Sequence, residues 1–216
     1  MSRTAMVAGA TGLVGNHCLR LLAASPHYAK VVALARRPLQ APPPGVVERS
    51  VDFDRLTDGD IEPGADLFSA LGTTIRKAGS QAAFRRVDLD YPLALARLAA
   101  SKGASRLLLV SSVGADPASA NFYLRVKGEL EHAVQSLPFE AVHIFRPSLL
   151  LGERQEIRLG ERLAIAAARS LQFGFVAGLR KYHPVLAASV AAAMVRAALR
   201  DDRGVHIHHY DEIMRP

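Results

Sequence analysis

Three glycines set the terms for this chain. Gly9, Gly12 and Gly15 stand three residues apart in the run Val7-Ala-Gly-Ala-Thr-Gly-Leu-Val-Gly15, with apolar Ala5 to Ala8 leading in. After them Leu13, Val14, Cys18, Leu19, Leu21 and Leu22 recur with His17 and Arg20 between, the spacing of a helix. Strand, glycine turn and helix, in that order, give the context in which such glycines bind a dinucleotide. Gly9 allows a sharp turn, Gly12 removes a Cβ where a pyrophosphate would approach, and Gly15 lets the helix pack closely on the strand. The helix N-terminus then presents free N–H groups and a partial positive charge. The spacing is G-x-x-G-x-x-G rather than G-x-G-x-x-G, and the alternative is a glycine-rich turn with no ligand.

The rest of the chain alternates in the same way. Lys30–Ala35 is a continuous apolar run of strand length, as expected for a parallel strand buried on both faces. Further strands are expected at Val46–Phe53, Ala65–Leu71, Arg106–Val110, Phe139–Phe145 and Gly204–His208. Helical periods cover Gln81–Lys102, where Pro92 kinks or breaks the pattern, and Asn121–Leu137, Gly160–Leu171 and Val185–Arg200. Ile75–Ser80 reads as a polar, flexible segment carrying Arg76 and Lys77 as solvated charges. Strands alternating with helices predict an α/β fold with a doubly wound parallel sheet. The 216 residues suit a single domain, with those from about 147 onward adding a small substrate lobe.

The end of the second strand bears on the choice of cofactor. About 20 residues beyond the glycines an Asp or Glu would take a ribose 2′-hydroxyl and favour NAD. Here Ala35 is followed by Arg36 and Arg37, and guanidinium groups match a 2′-phosphate, which favours NADP(H). Two solvated loop arginines are the alternative. Asp52, after the third strand, either bonds an adenine amine or caps the next short helix.

Composition narrows the partners. The net charge is +7, mostly from arginine, but the cations are scattered and not interleaved with aromatics, so no nucleic acid is expected. The lone cysteine, Cys18, excludes a disulfide framework and reads as a buried small hydrophobe, so a reducing, cytoplasmic setting is expected. The apolar run after Arg3 is broken by glycines, so no signal peptide is expected. No apolar stretch reaches the roughly 18 residues of a membrane span. His206, His208 and His209 read as surface histidines, with no metal site expected.

One pair carries chemistry. Tyr123 and Lys127 stand four apart and share a helix face. A lysine there lowers the tyrosine's pKa and readies it for proton transfer. Ser111 and Ser112 end the preceding strand, where a hydroxyl can bond a substrate carbonyl.

With these residues in view, the chain resembles a short-chain dehydrogenase/reductase with a Rossmann fold, and more narrowly the atypical branch containing the Tat-interacting-protein oxidoreductases. The resemblance rests on Gly9–Gly15, Ala35-Arg-Arg37, Leu71-Gly-Thr-Thr74 with Lys77-Ala-Gly79, Val87-Asp88, Ser111-Ser112, Tyr123-Leu-Arg-Val-Lys-Gly-Glu129, Phe145-Arg-Pro147 and Gly152-Glu-Arg-Gln-Glu156. It implies that Thr11, Gly12, Leu13 and Val14 meet the pyrophosphate through backbone N–H groups, that Arg36 and Arg37 hold the 2′-phosphate, and that Leu71 and Gly72 line the adenosine and ribose. It also implies that Lys127 binds the nicotinamide ribose, Tyr123 protonates a carbonyl oxygen, and Ser112 or Ser111 orients that oxygen. Leu150 would lie by the nicotinamide, with Arg158 a contact at the cofactor or substrate end. The family's frequent asparagine, on the helix before the fifth strand, has no match in Asn16 or Asn121. The activity so implied is NADPH-dependent reduction of a small carbonyl compound, by a monomer or homodimer. The alternatives are an NADPH-binding sensor acting through a protein partner, and a reductase of flavins or quinones in which Tyr123 is dispensable.

Overall fold

The computed structural model describes residues 3–152 and 177–215. The described residues form nine strands: β1 (Arg3–Ala8), β2 (Tyr28–Ala35), β3 (Val46–Ser50), β4 (Asp66–Ser69), β5 (Arg106–Val110), β6 (Ala141–Phe145), β7 (Leu150–Leu151), β8 (Val185–Leu186) and β9 (Gly204–His208). Seven make one sheet in the order β3-β2-β1-β4-β5-β6-β9, every neighbouring pair parallel. β7 and β8 pair separately. The helices are α1 (Leu13–Ala23), α2 (Ile75–Ala78), α3 (Gln81–Arg85), α4 (Tyr91–Ser101), α5 (Phe122–Gln135), α6 (Ala187–Ala198) and α7 (Tyr210–Met214).

The apolar strand runs have a direct cause. Along β1, Ala5 and Val7 face one core, together with Cys18, Leu19 and Leu22 of α1 and Val190 and Met194 of α6. Met6 and Ala8 face the other, with Leu95 and Ala99 of α4 and Val126, Leu130 and Val134 of α5. Both sheet faces are covered, so alternation in the sequence is replaced by continuous hydrophobicity. The doubly wound α/β architecture is as expected. Strand order reverses between β1 and β4, which opens a crevice at the C-terminal ends of these two strands.

Several boundaries differ from expectation, each for a local reason. β3 stops at Ser50, and the buried Val51 and Phe53 of its expected extension pack into the core outside the sheet. The helix expected over 81–102 is three pieces: α3, a π-helical turn at Arg86–Asp90, and α4. Pro92 lies in the first turn of α4, directly after the π-helical turn, where the helical register breaks. Ile75–Ala78 is a short helix rather than a loop, capped by the Thr74 hydroxyl, which accepts from the Lys77 amide. Asn121 caps α5 by accepting from the Leu124 amide. The stretch from Val185 divides into β8 and α6. The helix expected at Gly160–Leu171 lies outside the described residues.

Candidate active site

The glycine turn closes on itself and on β4. Gly9 has φ of +83°, and a Cβ there would overlap the backbone of Ala70. A Cβ on Gly15 would overlap the Gly9 carbonyl, so Gly15 lets α1 pack on the turn itself. Gly12 is the N-cap of α1; its own amide bonds the Gly9 carbonyl at 2.8 Å. Among the described residues no side chain caps α1, and no acid sits in its first turn. Its leading amides therefore stay available to an anion. The end of β7 lies against the other side of this turn: a Cβ on Gly152 would lie 2.8 Å from Leu13 Cδ2.

The chemistry-bearing pair lies at the same edge of the sheet. Tyr123 is half-buried, its ring 5.6 Å from that of Phe84. Among the described residues no hydrogen bond engages its hydroxyl. One turn on, Lys127 is only 4% exposed, and its Nζ lies 2.7 Å from Oδ1 of Asp88, itself 1% exposed. This contact is a buried ion pair. Burial works against the lysine's charge. Asp88 foremost, then Tyr123 and Glu131, outweigh it and hold the ammonium above the ordinary lysine range. A turn further along α5, Glu131 is buried and receives Arg146 Nε at 3.1 Å on each carboxylate oxygen. Gly72, just past β4, faces the Asp88–Lys127 pair: a Cβ there would lie 3.3 Å from Asp88 Oδ1 and 3.8 Å from Lys127 Nζ.

The two serines differ. Ser111 is buried, its amide bonds the Phe145 carbonyl at 2.7 Å, and its hydroxyl has no hydrogen-bond partner among the described residues. Ser112 is half-buried and gives its hydroxyl to the Val113 carbonyl at 3.3 Å. Ser111 thus carries the less engaged hydroxyl.

Other expected contacts are spread around this edge. Arg36 and Arg37 are exposed. Arg36 lies near enough to Tyr91 for its charge to act on that phenol. Arg37 lines a cavity of about 280 Å³ with Ala35, Pro38, Glu48, Arg49 and Ser50. Asp52 caps no helix; its carboxylate accepts the Asp54 amide at 3.0 Å and closes its own turn. Leu71 is half-buried and packs on the core. Leu150 sits in β7 and packs with Leu13 against the α1 side. Arg158 and the charged run at Glu153–Glu156 lie outside the described residues.

The histidines correct an expectation. His206 and His208 are not surface residues but half-buried members of a stack against the fully buried His143 of β6. His143 Nδ1 lies 3.1 Å from His208 Nε2, and His208 also stacks on Phe145. Burial, with the neighbouring histidines, pushes His143 and His208 each down to about 4. Cys18 is buried as expected, its thiol pushed up to about 12 by burial.

Sequence reasoning missed the role of Asp88. A signal was present: Asp88 interrupts the buried row Phe84, Tyr91, Leu95 and Ala99, and an acid on a core-facing row needs a partner.

Residues 5–211 match the model of the NAD dependent epimerase/dehydratase family. The chain is 38% identical over 182 residues to Protein HTATIP2 of Rattus norvegicus, covering 82% of this chain and 75% of that one. It is 35% identical over 204 residues to the mitochondrial Protein FMP52 of Candida glabrata, covering 92% and 86%. Relatives from Saccharomyces cerevisiae and Coccidioides immitis are likewise mitochondrial FMP52 proteins, and this overturns the expectation of a cytoplasmic protein. A lone cysteine speaks to redox conditions and carries no address. Among solved structures, MoeE5 in complex with UDP-glucuronic acid and NAD superposes with a TM-score of 0.71 at 21% identity, over 95% of this chain and 75% of that one. Human SDR39U1 with NADPH gives 0.62 at 18%, over 95% and 74%. No helix among the described residues is long and apolar enough to cross a membrane. The glycine turn, the parallel sheet and these matches lead to one conclusion: the chain belongs to the NAD-dependent epimerase/dehydratase family and has its nicotinamide-nucleotide-binding Rossmann fold.

Proposed function

We propose that the protein is an NADPH-dependent reductase of a small carbonyl compound. The observation that carries this reading is the helix face of α5, where a tyrosine whose hydroxyl is unengaged among the described residues stands one turn from a buried, charged lysine. The residues fit a nicotinamide nucleotide: among the described residues the start of α1 is uncapped and suits a pyrophosphate, Gly72 leaves space beside Lys127, and the buried Ser111 hydroxyl lacks a partner.

Gly9 and Gly15 allow the tight turn, the Gly12 amide closes it on the Gly9 carbonyl, and of the four amides expected at the pyrophosphate those of Thr11, Leu13 and Val14 are left to bind it. Arg36 and Arg37 hold the 2′-phosphate, Arg37 from the wall of its cavity. Leu71 and Gly72 line the adenosine and ribose, while Asp52, already engaged with Asp54, is at most a peripheral contact with the adenine. Lys127 bonds the nicotinamide ribose hydroxyls. Leu150 lines the nicotinamide end; of the lobe expected from about residue 147 onward, α6 and β9 belong to the core and the central sheet instead. When bound, the nicotinamide nucleotide supplies the hydride. Tyr123 gives its phenolic proton to the carbonyl oxygen, and the Lys127 charge stabilises the tyrosinate left behind. Ser111, or Ser112, donates a hydrogen bond that orients this oxygen. The FMP52 relatives support a mitochondrial site of action.

The test is NADPH consumption against a panel of aldehydes, ketones and quinones, with the wild type beside Tyr123→Phe. The expected result is a wild-type rate with a carbonyl acceptor that collapses in the variant while NADPH still binds. A rate that survives the substitution points instead to flavin- or quinone-type transfer. Tight binding with no turnover points to a sensor.

A further inference from the structure

Lys127 has two duties in the proposed reaction, and both require a charged ammonium held still where little water reaches it. An isolated buried charge is costly and tends to neutralise. Asp88 meets this need from three directions. Its Oδ1 lies 2.7 Å from Lys127 Nζ. Its Oδ2 accepts the Thr73 amide at 2.8 Å, which ties the pair to the loop after β4. Gly72 packs against both charged atoms, and a side chain there would press on Asp88 Oδ1. The π-helical turn at Arg86–Asp90 carries Asp88 to this position, between α3 and α4. Among the groups facing Lys127, Tyr123 is needed for the chemistry and Glu131 is already engaged by Arg146, so Asp88 is the lysine's counter-ion.

We propose that Asp88 is a positioning residue of this site, fixing the Lys127 ammonium beside Gly72 and joining it through the Thr73 amide to the loop after β4. The inference rests on the reading of Lys127 as a cofactor-binding residue. It places the missing family asparagine in a new light: this chain has, on the segment before β5, an acid that acts on the lysine instead.

Asp88→Asn tests it, because the amide keeps the shape and an acceptor for Thr73 while removing the charge. Two readouts separate the inference from the functional reading. The first needs no cofactor: the thermal midpoint of the apoprotein, variant against wild type, across neutral to alkaline pH. Without its counter-ion, Lys127 binds its proton less tightly in the folded than in the unfolded chain, so the variant gains stability as pH rises. The gap to wild type should therefore be widest near neutrality and narrow toward high pH. The second readout is NADPH affinity. It should weaken about ten-fold in the variant and further as pH rises. In a Lys127→Met background the same substitution should change it by less than about two-fold, since Asp88 acts through the lysine. Should Asp88→Asn fail to fold, the double variant with Lys127→Met should fold, because it buries no unpaired charge.

A gap that stays constant with pH, together with wild-type affinity at every pH, overturns the proposal. If the wild type binds no nicotinamide nucleotide, the functional reading falls; a gap that still narrows then upholds the hold of Asp88 on Lys127, and one that does not overturns it.

Discussion

Two buried carboxylates at opposite edges of one sheet make an instructive pair. Asp66 opens β4 at the N-terminal edge and is surrounded by the opening residues of three other strands. Tyr28 Oη donates to it at 2.8 Å, Arg3 Nε lies at 3.5 Å and Arg106 Nη1 at 3.7 Å. Asp88, at the C-terminal edge, has one cation and one backbone amide. The chemistry is alike, yet the surroundings differ. Around Asp66 large side chains from β1, β2, β4 and β5 converge, and burial raises both the acid and the Tyr28 phenol that bonds it. Around Asp88 a glycine leaves space, and among the described residues the same edge carries an unengaged tyrosine hydroxyl, an unpartnered serine hydroxyl and an uncapped helix start. One edge closes the fold and the other is left chemically open. A buried ion pair is therefore no mark of function in itself; what matters is which polar groups nearby remain unsatisfied.

The sharpest way to break this contrast is at Tyr123. Tyr123→Phe should lower turnover by at least about 100-fold, the scale of a lost general acid, while NADPH affinity stays within about three-fold. Steady-state kinetics beside a binding titration checks it. At the closed edge the reverse is expected. Asp66→Ala should cost about 3 kcal/mol of stability, because Arg3 and Arg106 lose their shared acid and Tyr28 its acceptor, with turnover per folded molecule unchanged. Urea denaturation with rates normalised to the folded fraction reads both quantities.

How much of this contrast was legible in the chain depends on how local each signal is. The strands were legible because a sheet covered on both faces needs unbroken apolar runs, as in Leu107–Val110. The glycine turn and the Tyr123–Lys127 face were legible because their spacing falls within one or two turns. Asp66 with Arg3 and Arg106 was not, since three polar strand starts in a sequence say nothing of their convergence. Asp88 was half-legible, as an acid on a core-facing row whose register the π-helical turn then shifts. His143 and His206 come together only through the pairing of β6 with β9, and no short-range pattern announces that. The boundaries that moved, at β3 and at the helix expected over 81–102, moved where tertiary packing overrode period.

A third prediction follows from that histidine stack. His143 and His208 have folded-state values near 4 against an ordinary 6.5, so the unfolded chain binds protons more readily between these limits. Stability is fully present above about pH 6.5 and falls as pH drops toward about 4, by about 2 kcal/mol for each histidine near pH 5. Replacing both residues by Gln should flatten the part of the denaturation profile that falls in this window. An unchanged slope would remove the stack from the account.

The smallest effect belongs to the rim of the open edge. Arg37→Ala should reduce the preference for NADPH over NADH by roughly ten-fold while sparing NADH affinity, as expected for the loss of one guanidinium from a 2′-phosphate. Paired titrations with the two nucleotides check it; equal weakening of both would assign Arg37 to the general surface.

The central claim, that one edge of the sheet is open for a nicotinamide nucleotide and the other sealed, is tested most directly by hydrogen exchange of the wild type with and without NADPH. The account predicts slower exchange at residues 9–15, 71–74, 111–114 and 122–128, with no change at the strand starts around residues 3, 28, 66 and 106. Protection confined to the strand starts, or no protection anywhere at saturating NADPH, would contradict it.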